Sequence, residues 1–93
     1  MKVILSNEAK NNLVNIFDHI ALDNPTRAYS FTEELKERME DLELFPLSGK
    51  QVMTRGRRKR RLMFGKYKIF YKVNKKINHI EIEYIEHGAK LER

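Results

Sequence analysis

Ninety-three residues without a cysteine allow one modest core and exclude a disulfide framework or a thiolate metal centre. No apolar stretch nears the roughly 18 residues of a membrane span, and Met1-Lys2-Val3-Ile4-Leu5 is too short for a signal-peptide core, so one cytoplasmic domain over 1–93 is expected. The net charge of +6 hides two halves, since residues 1–47 hold five Lys/Arg against nine Asp/Glu and residues 48–93 hold fourteen against four, which gives the second half a field for polyanions or acidic protein segments.

In chain order, the β-branched and aliphatic run of residues 2–5 predicts a strand, and Ser6-Asn7 with Glu8 behind them predict a helix start. Ala9, Leu13, Ile16, Phe17 and Ile20 then recur at helical spacing up to about Leu22. Pro25 disfavours helix at Asn24 and suits the first position of a new one. Ala28, Phe31, Leu35, Met39 and Leu42 carry that second helix to about Leu44, so a helical hairpin is expected. The breakers in Phe45-Pro46-Leu47-Ser48-Gly49 end it, and the period changes from 3.6 to 2.

After a basic loop, residues 58–64 predict a strand, and Gly65-Lys66 predict a turn. Tyr67, Ile69, Tyr71 and Val73 alternate with Lys66, Lys68, Phe70 and Lys72. A second turn at Asn74-Lys75-Lys76 leads to a last strand over 77–86, where Ile80, Ile82 and Tyr84 alternate with His79, Glu81 and Glu83. The expected fold is α+β, in the order β-α-α-β-β-β, with a mainly antiparallel sheet and the helical hairpin on one face.

Six of the seven residues in Arg55-Gly56-Arg57-Arg58-Lys59-Arg60-Arg61 are cationic. Such a run suits phosphate or acidic-partner binding, with Lys66 and Lys68 adding to it; a solvated loop and a protected sheet edge are the alternative to that favoured reading. In a strand, Arg58 and Arg60 share one face while Lys59 and Arg61 share the other. His87, at the end of the last strand, is either a general acid or base or a strand-end histidine bonded to a neighbouring loop. His19 and His79 have no second ligand at helical spacing, and no metal site or cofactor is expected. Glu81 and Glu83 are read as partners of Lys68 or Lys72 across the sheet. Without a Gly-rich phosphate loop, a serine elbow or a Cys-His pair, polyanion binding or RNA chemistry remains.

The helix-one pattern, the Asn24-Pro25 entry to helix two, the 45–49 break, Gly65-Lys66-Tyr67-Lys68-Ile69-Phe70-Tyr71-Lys72-Val73 and the ending Ile85-Glu86-His87-Gly88-Ala89-Lys90 resemble, in order and spacing, the RelE/ParE superfamily of toxins from type II toxin–antitoxin modules. The resemblance implies the fold above, growth arrest, and a cognate antitoxin whose C-terminal segment wraps the toxin. It also implies one of two targets: a RelE-like member cuts mRNA in the ribosomal A site, and a ParE-like member poisons DNA gyrase without known hydrolytic chemistry. RelE-like nucleases typically carry an arginine just after the position of His87 and a tyrosine several residues later. Here Gly88 follows His87, and no tyrosine follows. The His-Gly-Ala-Lys ending is more similar to ParE, and gyrase is the favoured expectation. In a nuclease, Arg58, Arg60 or Arg61 would hold the scissile phosphate, His87 would act as acid or base, and Lys90 would stabilise charge. The polyanion surface would comprise Arg55, Arg57, Arg58, Lys59, Arg60, Arg61, Lys66 and Lys68. A third reading is a non-toxic nucleic-acid-binding module.

Overall fold

The computed structural model describes residues 1–88. Strand β1 (Lys2–Leu5) leads into α1 (Asn7–Ala21) and α2 (Pro25–Glu40), a 3-10 turn (Asp41–Glu43) prolongs α2, and four strands follow: β2 (Lys50–Thr54), β3 (Arg57–Phe64), β4 (Tyr67–Asn74) and β5 (His79–His87). They form one sheet of order β1-β5-β4-β3-β2, antiparallel except where β1 runs parallel to β5. The expected order is present, with β2 as a further edge strand where a basic loop is predicted.

Both helix starts follow from their caps. The Ser6 hydroxyl accepts from the Ala9 N–H at 3.0 Å, and the Asn24 side chain accepts from the Arg27 N–H at 3.0 Å with Pro25 opening α2. Ala9 and Ile16 of α1 and Ala28, Leu35 and Met39 of α2 are buried, and Leu42 extends the same stripe through the 3-10 turn. Ala9, Ile16, Leu35, Met39 and Leu42 pack on Leu62, Ile69, Tyr71, Ile80, Ile82 and Ile85 from the sheet. Phe31 reaches Phe64 and Tyr67, with ring centroids 5.4 and 5.5 Å apart. The core thus lies on the helix side of the sheet, and the other face is the outer face. No helix among the described residues is long and apolar enough to cross a membrane.

One departure from strict alternation shapes the outer face. Phe70 is opposite Tyr84 and Tyr71 is opposite Ile82, so Glu83 is an extra residue, a β-bulge in β5. The bulge moves Tyr84 out of the helix-side row predicted from Ile80 and Ile82 and brings Ile85 into it. Tyr84 instead stacks on Phe70, with centroids 4.7 Å apart. Where β1 ends, α1 takes over the exposed side of β5. The Ser6 hydroxyl donates to the Glu83 carbonyl at 2.6 Å, and the Asn12 side chain accepts from the Ile85 N–H at 2.8 Å.

Candidate functional site

The cationic run occupies the β2–β3 turn and most of β3, where strand alternation divides it. Arg57, Lys59 and Arg61 lie on the outer face, while Arg58 and Arg60 share the helix-side face with Leu62. Most of these cations are already engaged. Lys59, only 8% exposed, pairs with Glu83 at 2.5 Å. Arg60 donates to the carbonyls of Leu47 and Gly49 at 3.3 and 2.8 Å, which fastens the 46–49 loop to the sheet. Arg61 and Lys68 also have interactions of their own.

Arg55 is the most elaborately held. Together with Gly56 it makes a two-residue turn in which both have positive φ, 51° and 72°, a geometry matched to the right-handed twist of a hairpin. A left-handed backbone costs a non-glycine residue about 1–2 kcal/mol, and the Arg55 side chain gains compensating contacts. Its guanidinium grips the Glu8 carboxylate through two hydrogen bonds of 3.0 and 2.8 Å, comes within 3.8 Å of Glu86, and lies 3.6 Å from the centre of the Tyr84 ring. The hydrogen bond from Arg55 holds the Glu8 carboxyl below the usual carboxylate range, and the same bond raises Arg55. Burial pushes the Tyr84 phenol up against the opposing pull of its 2.6 Å hydrogen bond with Thr54.

Arg57 and Arg58 remain without a partner among the described residues and are exposed. Lys66 is exposed in the turn at the far end of β3. His87 lies on the helix-side face opposite Tyr67, edge to face with it at 5.2 Å, and lines a small cavity with Asn12, Asn15 and His19. The residues expected to cooperate in RNA cleavage are therefore dispersed. Arg60 is opposite Tyr71 and His87 is opposite Tyr67, about 13 Å apart along the strand direction, and Arg61 points to the other face. Lys90 lies outside the described residues. Lys72 pairs with Glu81 at 3.8 Å, as the cross-strand expectation has it, whereas Glu83 turns to Lys59. Among the described residues, no three His, Cys, Asp or Glu side chains cluster as metal ligands do.

Gly88 stands where the resemblance to RelE-like nucleases would have an arginine, and its surroundings give the glycine a physical reason. Its N–H donates to the Lys66 carbonyl, and a Cβ at position 88 would lie 2.6 Å from that oxygen. Glu8 and Glu83 were missed as partners of the cationic run, because neither the bulge nor the approach of α1 to the β2–β3 turn leaves a local sequence signal.

Residues 3–92 match the family model for the ParE toxin of the type II toxin–antitoxin system parDE. Two solved structures share the fold: a chain of the chromosomal ParDE system from P. aeruginosa (TM-score 0.78, 21% identity, covering 94% of this chain and 95% of that one) and a chain of the RelBE2 toxin–antitoxin complex from Mycobacterium tuberculosis (TM-score 0.70, 19% identity, 92% and 95%). The search of curated proteins produced no match.

Proposed function

The chain belongs to the ParE family of toxins of type II toxin–antitoxin systems, and from that premise we propose that it arrests growth as a ParE-like inhibitor of DNA gyrase, held in check by its cognate antitoxin. The observation that carries this reading is the closed position at Gly88. The nuclease branch typically has an arginine there, and here the Lys66 carbonyl occupies the space of any side chain. The charge arrangement supports the same reading. A nuclease needs cations preorganised towards the place where charge develops on a phosphate, whereas Lys59, Arg55 and Arg60 are committed to Glu83, Glu8 and the 46–49 loop. His87 and Arg61 lie on opposite faces of the sheet. These commitments support action by binding.

RelE-like cleavage of mRNA keeps one observation in its favour, because Arg57, Lys59, Arg61 and Lys68 all project on the outer face. Pulse-labelling of DNA and protein synthesis in the minutes after induction, with and without the antitoxin, separates the two. DNA synthesis falling first, with protein synthesis continuing, is the expected outcome. An immediate stop in protein synthesis with DNA synthesis intact overturns it and returns the chain to the nuclease branch.

A further inference from the structure

The sheet parts at one place. Pairing between β3 and β4 runs from Phe64 opposite Tyr67 to Arg60 opposite Tyr71 and stops there. Beyond that point residues 57–59 pair only with β2, and residues 72–74 pair only with β5. The facing edges of these two segments have no strand partner across the gap. An antiparallel strand turns its N–H and C=O to a given side at alternate residues, so backbone donors face the fork. The hollow between the segments, about 310 Å³, is bordered by Arg58 and Arg60, by Lys59 and Lys72, and by Lys75 in the following turn, with no carboxylate in its lining. Lys59 is held by Glu83, Arg60 by the loop carbonyls, and Lys72 by a 3.8 Å contact with Glu81 in which both side chains are about half exposed. Arg58 and Lys75 are exposed and have no side-chain partner among the described residues. A cleft lined by charge of one sign concentrates counter-ions.

We propose that the fork between β3 and β4 is a binding site for a compact oligophosphate, the chemistry shared by inorganic triphosphate and the phosphate tail of a nucleotide. Arg58 and Lys75 supply uncommitted charge from the two sides of the gap. Lys72 exchanges its exposed contact with Glu81 for the ligand, and the parted backbone edges offer N–H groups to phosphoryl oxygens. Linked phosphates bring several negative charges into one hollow. A nucleic-acid backbone carries a single charge per nucleotide and would leave most of these cations unmet. The volume agrees, since it lies at the small end of the roughly 300–1,000 Å³ of ligand clefts. The proposal is independent of which cellular machine the toxin arrests.

The test titrates the full chain with inorganic triphosphate by calorimetry, beside orthophosphate, adenosine triphosphate and a short single-stranded RNA of equal charge without terminal phosphates. Triphosphate is expected to bind at least about tenfold more tightly than orthophosphate and to weaken as salt rises. Arg58→Gln/Lys75→Gln should lower that affinity by about tenfold or more. Lys2→Gln/Lys10→Gln removes the same charge from exposed positions on β1 and α1 and should leave binding unchanged. Both variants replace exposed side chains, so equal thermal midpoints separate lost binding from lost folding. Amide exchange locates the ligand, and bound triphosphate should slow exchange at residues 57–59 and 72–74. Adenosine triphosphate binding as tightly as triphosphate supports recognition of the phosphates alone, and tighter binding supports a nucleotide. No binding of triphosphate, equal losses in the two variants, protection confined to other segments, or tighter binding of the RNA at the same residues overturns the proposal. Each of these outcomes leaves the pulse-labelling result standing by itself.

Discussion

The backbone N–H of Gly49 donates to the hydroxyl of Tyr71 at 2.8 Å, and that hydroxyl donates in turn to the Pro46 carbonyl at 2.9 Å. The break between the helical hairpin and the sheet is thus pinned to the middle of β4 by one phenol. Removing the hydroxyl with Tyr71→Phe leaves a buried N–H without an acceptor, a loss of about 1–3 kcal/mol. Gly49→Ala crowds the same ring, since its Cβ would lie 2.6 Å from the hydroxyl. Both variants should lower the urea midpoint without changing the slope of the transition.

The pair of Lys59 and Glu83 gives a second test. Lys59 is nearly inaccessible, so Glu83→Ala strands a charge and should cost about 3 kcal/mol. Replacing both partners, as in Lys59→Met/Glu83→Leu, should recover most of that loss. Chemical denaturation of Lys59→Met, Glu83→Leu and the double variant measures the coupling.

The ion pair of Glu8 and Arg55 predicts a pH effect of definite sign. The folded-state pKa of Glu8 is lowered by the Arg55 hydrogen bond, so its contribution is fully present above the ordinary value of 4.5 and is lost as pH falls through the lowered one. Glu8→Gln should therefore be less stable than the parent near neutrality, and the gap should close in acid. Thermal midpoints measured across that range at low salt provide the check; the pair is exposed, and salt should shrink the gap.

Position 88 allows a gain-of-function experiment that should fail. Gly88→Arg restores the residue type of the nuclease branch, but its Cβ meets backbone rather than a movable side chain. The variant should lose about 1–3 kcal/mol of stability and should cleave no ribosome-bound mRNA. Gly88→Ala should show a loss of similar size. An active and equally stable Gly88→Arg protein would contradict the account of the closed position.

Much of this fold is legible along the chain, since the signals in question are local. Ser6 and Asn24 cap their helices, the 65–66 turn is where it is expected, the turn expected at 74–76 lies at 75–78 so that β5 begins at His79 rather than Ile77, and the helical stripes of Ala9 and Leu35 face the core. β2 escaped because Lys-Gln-Val-Met-Thr lacks an apolar alternation, and its stability comes from pairing with β3. The bulge escaped for a different reason: Glu83 is charged at a position where alternation also expects charge, so the slip shows only in the burial of both Tyr84 and Ile85. The arginine run is the reverse case. Its composition reads as one surface, and the tertiary partners that divide it, Glu8, Glu83 and two loop carbonyls, are remote in sequence.

The parallel seam between β1 and β5 also has a temporal meaning. Val3 is opposite Ile80 and Leu5 is opposite Ile82, so the first strand to leave the ribosome waits for the last before either is complete. Contacts of such long separation form late and slowly, and α1, capped by Ser6 against Glu83, gains its full anchorage at the same moment. A nascent chain that has not reached β5 lacks the strand that joins β1 to β4 and the two anchors of α1 at Glu83 and Ile85.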